Sequence, residues 1–122
     1  MPLIYRIDPG RGIVVITGDY AEAAEWQVLL AAVAGDPAYR RGFGFLRDLR
    51  ASEHPVSAET VVSIIAVVRK FWPQLGVSRA AMVTRPGIDV PAMMAAALAD
   101  EEQIALRAFT SYEEAMGWLR GG

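Results

Sequence analysis

The spacing of hydrophobic positions changes repeatedly along this chain, and each change predicts an element. Residues 3–8 and 12–17 are runs of β-branched, aromatic and aliphatic side chains separated by Pro9, Gly10 and Arg11, which predicts a hairpin with a short glycine-containing loop. The period then lengthens to that of a helix. Trp26, Leu29, Leu30 and Val33 fall on one side up to a stop at Gly35, Asp36 and Pro37. Asp19, three residues before Glu22, has the spacing of a capping box for this first helix. Residues 43–49 predict a short strand, and a polar loop then leads into a second helix starting near Ser57. Its stripe is Val61, Ile64, Ile65, Val68, Phe71, Trp72 and Leu75, with Ser63, Lys70 and Gln74 opposite. Pro73 should end or kink it, because proline lacks the amide hydrogen and crowds the preceding turn. Residues 80–84 predict a strand, and Pro91 suits the first position of a third helix running through Met93, Met94 and neighbouring alanines. The last strand is expected at 104–109. Thr110 with Glu113, or Ser111 with Glu114, then caps a final helix through Leu119 that Gly121 and Gly122 stop.

The resulting order, ββαβαβαβα, predicts an α/β fold: a mixed five-stranded sheet with four helices. Strands that alternate with helices pair in parallel through right-handed crossovers, and the first strand joins antiparallel through its hairpin. A chain of 122 residues is expected to form one domain, 1–122. In such sheets the loops leaving the carboxyl ends of the strands build the functional edge. Those loops hold Gly18 and Asp19, residues 50–57, residues 85–89, and Thr110 with Ser111.

Composition removes several chemistries. There is no cysteine and a single histidine, His54, so thiol catalysis, iron–sulfur ligation and the usual zinc ligand sets are not expected, and we expect no metal and no cofactor. The net charge of -2 argues against nucleic acid as a partner, since phosphate neutralisation needs a basic face. No stretch approaches the roughly 18 uninterrupted apolar residues of a membrane span, and residues 1–12 carry Arg6, Asp8 and Arg11 where a signal peptide would be apolar. The expected location is the cytoplasm, with no transmembrane segment.

Ile4-Tyr5-Arg6-Ile7-Asp8, the Asp-Pro-X-Tyr-Arg stretch from Asp36 to Arg40, Asp48-Leu49-Arg50, and the closing Tyr112-Glu113-Glu114-Ala115 with Trp118-Leu119 together resemble the STAS-like group related to the sporulation anti-sigma factor antagonist (SpoIIAA-like). The resemblance runs over nearly the whole chain. It implies a non-enzymatic module that binds a regulatory protein partner. In the best-known branch that partner is a kinase-like anti-sigma factor that phosphorylates a serine at the start of the second helix. The family's double serine falls on Ser57 and Ala58, so only the first serine is present and the acceptor position is alanine. Glu59 follows where the family has glycine and would repel a phosphate. The resemblance therefore carries the fold more than the phospho-switch, and a helix cap explains Ser57.

Four residues of the functional edge carry polar chemistry: Asp48, Arg50, His54 and Ser57. They are expected to form a partner-binding or regulatory surface. Asp48 ends the third strand, where receiver domains keep a phosphoacceptor, yet the acidic pair and lysine of a receiver are missing and an ion pair with Arg47 or Arg50 suits it better. His54 lies three residues from Ser57, but no nucleophile-elbow glycine pattern surrounds that serine, so no catalytic residue is assigned. Asp100, Glu101 and Glu102 point about 100° apart on a helix and cannot converge on one ion. Apolar residues are over-supplied. Residues 90–99 carry no charge, Met93 and Met94 cannot both face one core, and Val28 and Val62 lie off their helices' buried stripes. Met93, Met94 and Leu98 are the expected apolar interface. They would serve a homodimer or, as the alternative function, a small lipid-like ligand held between this helix and the sheet, with a peripheral membrane contact.

Overall fold

A computed structural model describes residues 2–121, and its elements follow the expected order. They are β1 (Ile4–Asp8), β2 (Ile13–Thr17), α1 (Ala23–Ala34), β3 (Gly44–Asp48), α2 (Ala58–Leu75), β4 (Ala80–Val83), α3 (Val90–Glu101), β5 (Leu106–Phe109) and α4 (Tyr112–Leu119). β1 and β2 form the hairpin, with Gly12 at φ 68° closing its loop onto the Asp8 carbonyl (2.9 Å). All other pairings are parallel, and the strands lie in the order β1-β2-β3-β4-β5.

This order fixes where the helices lie. Each crossover from β2 onward steps one strand in the same direction, and right-handed crossovers that never reverse put their helices on one face. Val14, Ile16 and Phe45 of the sheet therefore meet Trp26, Leu29, Leu30 and Val33 of α1 and Phe71 and Leu75 of α2, while Met82 meets Ala92 of α3. The opposite face carries α4 alone, which buries Ala115, Met116 and Leu119 against Ile13, Val15, Leu46, Ala81 and Val83.

The stripe read for α2 is buried or half-buried throughout. The helix nevertheless does not stop at Pro73: it runs two residues further, to a left-handed Gly76. Donors from elsewhere satisfy the last carbonyls, which the end of any helix leaves without intrahelical partners. Arg41 donates to the carbonyls of Pro73 and Gln74 (3.0 Å each), and the Tyr39 hydroxyl donates to that of Leu75 (2.7 Å). Of the two caps offered for α4, Ser111 is the one formed, accepting from the Glu114 amide at 3.2 Å.

Candidate functional site at the carboxyl edge of the sheet

Four loops leave the carboxyl edge, and a network of polar contacts fastens three of them together. Asp19 is its centre. Its side chain does not cap α1, whose N-cap is Glu22 with no side-chain capping bond. Instead Oδ1 accepts from the amides of Tyr20 (2.8 Å), Glu53 (3.0 Å) and His54 (3.2 Å), and Oδ2 lies 2.9 Å from His54 Nδ1. Local spacing suggests a capping box, but the carboxylate satisfies amides of the β3–α2 loop, more than thirty residues away. The hydrogen bond from His54 and the converging amides hold the Asp19 carboxyl well below the ordinary range, and the same contact raises His54.

The buried Ser52 hydroxyl donates to the Gly18 carbonyl at 3.2 Å, and Arg85 of the β4–α3 loop donates to the Ser52 carbonyl at 2.9 Å. Gly18 has φ 113°, and a Cβ there would strike the Pro2 carbonyl, so this junction requires glycine. Asp89 caps α3 by accepting from the Ala92 amide (2.9 Å) and receives the Tyr20 hydroxyl at 2.7 Å from both oxygens. Burial, reinforced by this carboxylate, raises the Tyr20 hydroxyl far above its ordinary value.

The residues expected to act together at this edge have separate partners. Asp48 pairs with Arg50 in a two-pronged contact, Nε to Oδ1 at 2.9 Å and Nη2 to Oδ2 at 2.8 Å, and Arg50 also lies over the Tyr112 ring. That contact lowers the Asp48 carboxyl. His54 belongs to Asp19. Ser57 caps α2, accepting from the Thr60 amide at 3.2 Å. Asp48, His54 and Ser57 thus make no hydrogen bonds with one another. No cluster of three potential metal ligands occurs among the described residues, and Glu102 faces Arg69 at 3.3 Å.

Of the apolar candidates, Met93 is 61% exposed, whereas Met94 and Leu98 are half-buried. Met93 borders a cleft of about 440 Å³ with Thr84, Arg107, Phe109 and Thr110. The cleft opens where the outgoing connections diverge, β4 leading to α3 on one face and β5 to α4 on the other, the geometry that favours ligand crevices in open sheets. Ile88, 85% exposed, projects from the adjoining loop, and Val90 from the first position of α3.

A residue that sequence reasoning assigned only to Asp48 lies deeper. Arg47, in the central strand, is only 8% exposed and sits on the three-helix face, its Cζ 5.4 Å from the Trp26 ring centre. It donates to the carbonyls of Gly18 (3.0 Å) and Asp19 (2.8 Å), and more weakly to that of Asp48 at 3.5 Å. No carboxylate forms an ion pair with it among the described residues. Burial pulls its pKa down to about 10, leaving it charged at neutral pH. The signal was present in the sequence: strand alternation puts Arg47 on the face of Phe45, in a central parallel strand buried on both sides, where an arginine is out of place.

Two apolar cavities adjoin this arginine, of about 110 Å³ and 60 Å³. Both are lined by Trp26, Arg47, Ile64, Met82 and Ala95, which stand between them. The larger extends to Phe71 and Leu106, and the smaller to Tyr20, Val56 and Pro91 at the carboxyl edge. Met93, Met94 and Leu98 line neither, so internal space between α3 and the sheet is bounded by the alanine side of the helix.

Comparison with protein-family models and with curated proteins finds no match for the chain. The mixed five-stranded sheet with four helices is consistent with a generic Rossmannoid or STAS-like fold, and no described helix is long and apolar enough to cross a membrane.

Proposed function

We propose that this chain is a non-enzymatic regulatory module of the STAS-like, SpoIIAA-like kind. It acts by presenting the β3–α2 loop and the start of α2 to a protein partner. The observation that carries this reading is how the loop is held. Asp19 takes two of its amides, and Gly18 and Arg85 hold Ser52, while the side chains of Arg50, His54 and Ser57 stay exposed. A loop fastened from within loses little entropy on binding. In this reading the chain is a single cytoplasmic domain and a homodimer, the exposed Val28 and Val62 supplying apolar surface. Affinity capture from the host lysate with the wild-type protein and an Arg50→Glu, His54→Ala variant tests it. A partner retained by the first and lost by the second is expected, whereas equal capture by both, or none at any salt concentration, removes the loop from the account. Sedimentation at micromolar concentration should give twice the chain mass.

A second reading, a carrier or sensor of a small apolar ligand, is supported by the paired cavities beneath α2 and α3. Organic extraction of protein purified from the host should release a defined molecule, and a blank extract would count against it.

A further inference from the structure

If the chain carries a small ligand, as the second reading has it and on which this inference rests, the walls of the paired cavities limit the chemistry of that ligand. A buried charge is costly unless it is compensated, and Arg47 has only main-chain carbonyl acceptors in an otherwise apolar wall. Those carbonyls engage its two Nη groups. The side chain also stands between the two cavities. A ligand occupying both would pass directly beside it.

Size narrows the class. A cavity of about 150 Å³ accommodates benzene; spaces of about 110 and 60 Å³ each fall short of that, and a ligand that spans both has room for one ring or a short branched chain plus a small head group. Charge narrows it further. The smaller cavity has Arg47 on one side and Tyr20 on another, and the Tyr20 hydroxyl is already committed to Asp89. One cation can neutralise a monoanion, while a dianionic phosphate would exceed that single charge. A planar carboxylate matches the guanidinium fork. We propose that the paired cavities bind a small monocarboxylic acid, its ring or branched chain against Phe71 and Ile64 and its carboxylate against Arg47.

Titrating protein labelled with ¹³C at methionine methyls with phenylacetate, its neutral isostere phenylacetamide, and toluene tests this. Met82 lines both cavities and Met93 lies outside them, so the two methyls report where each probe binds. Phenylacetate should shift Met82 and bind at least about tenfold tighter than phenylacetamide. Arg47→Met should remove that preference while still admitting toluene. Ala95→Leu, which fills space without touching the charge, should weaken all three probes. If toluene and phenylacetamide shift Met82 at the same concentrations as phenylacetate, the carboxylate proposal fails and the ligand reading stands. If no probe shifts Met82, or only Met93 responds, both fail. Should Arg47→Met not fold, the ratio of phenylacetate to phenylacetamide in the wild-type protein still decides, because an arginine that merely pins the β2–α1 loop would give no preference.

Discussion

The two faces of the sheet are covered by different means, and the face with more helices is the less completely filled. Under α4 a single short helix closes the contact. Met116 and Leu119 meet Leu46 and Val83, Trp118 lies against Phe109 at 5.7 Å between ring centres, and Arg79 donates to the Trp118 carbonyl at 2.6 Å. On the other face α1, α2 and α3 follow one another across the strands, yet the paired cavities and the buried Arg47 lie there. The seam between α2 and α3 explains the space. α3 turns Ala92, Ala95, Ala96 and Ala99 inward, and side chains this small cannot reach across to Ile64 and Phe71. A helix centred over its strands leaves no seam, whereas parallel neighbours joined by alanine do. The difference separates a face that stabilises the fold from one with room for a second molecule.

That comparison can be broken by substitution. Leu46→Ala, at a fully buried position under α4, should cost about 3 kcal/mol, since the packed surroundings cannot collapse into the gap. A shift in urea midpoint corresponding to less than 1 kcal/mol would show that this face is looser than its contacts imply. Tyr20→Phe removes the hydroxyl that Asp89 receives at 2.7 Å and should cost about 2 kcal/mol, read in the same way. On the seam the sign reverses. Ala95→Val adds methyl groups toward the cavities and should stabilise the protein by about 0.5–1 kcal/mol, seen as a higher melting temperature. A loss instead would mean that the space is already closed in solution.

The smallest effect concerns the clasp at the carboxyl edge. Asp19 is held below its ordinary 3.8, so its contribution is present above that value and is lost as the pH falls below it. His54 is held above its ordinary 6.5, so its contribution is complete below that pH and fades as the pH rises through the raised value. The pair therefore stabilises most between about pH 4 and pH 6.5. The melting-temperature difference between wild type and His54→Ala should be largest near pH 5.5 and shrink by about pH 9. The His54 side chain is 83% exposed, so the difference should be small and should fall with added salt. A difference that grows with pH would contradict the ion pair.

Much of the fold was legible because local signals agreed. The Pro9-Gly10-Arg11 turn, the α2 stripe and the Ser57 and Ser111 caps each correspond to an observed feature. Strand order was not legible, since alternation along a strand says which residues share a face and nothing about the neighbouring strand. Pro73 does not end its helix, and the donors that satisfy the final carbonyls, Arg41 and Tyr39, come from before β3, where local reading could not find them. Asp19 misled for a related reason: a carboxylate three residues before a glutamate reads as a cap, and only tertiary structure shows that its acceptor capacity serves Glu53 and His54. Sequence reasoning named exposed residues of the carboxyl edge and passed over the buried Arg47 beneath them. Arg47 and Arg50 both read in the sequence as partners of Asp48; Arg50 is the one that pairs, and Arg47 points to the opposite face of β3.

Xenon at moderate pressure, followed by diffraction from a pressurised crystal, tests the contrast between the faces most directly. Xenon should appear between α2 and the sheet, beside Ile64, Phe71 and Met82, and not beneath α4. Xenon density between α4 and Leu46, or none beside Met82, would contradict it.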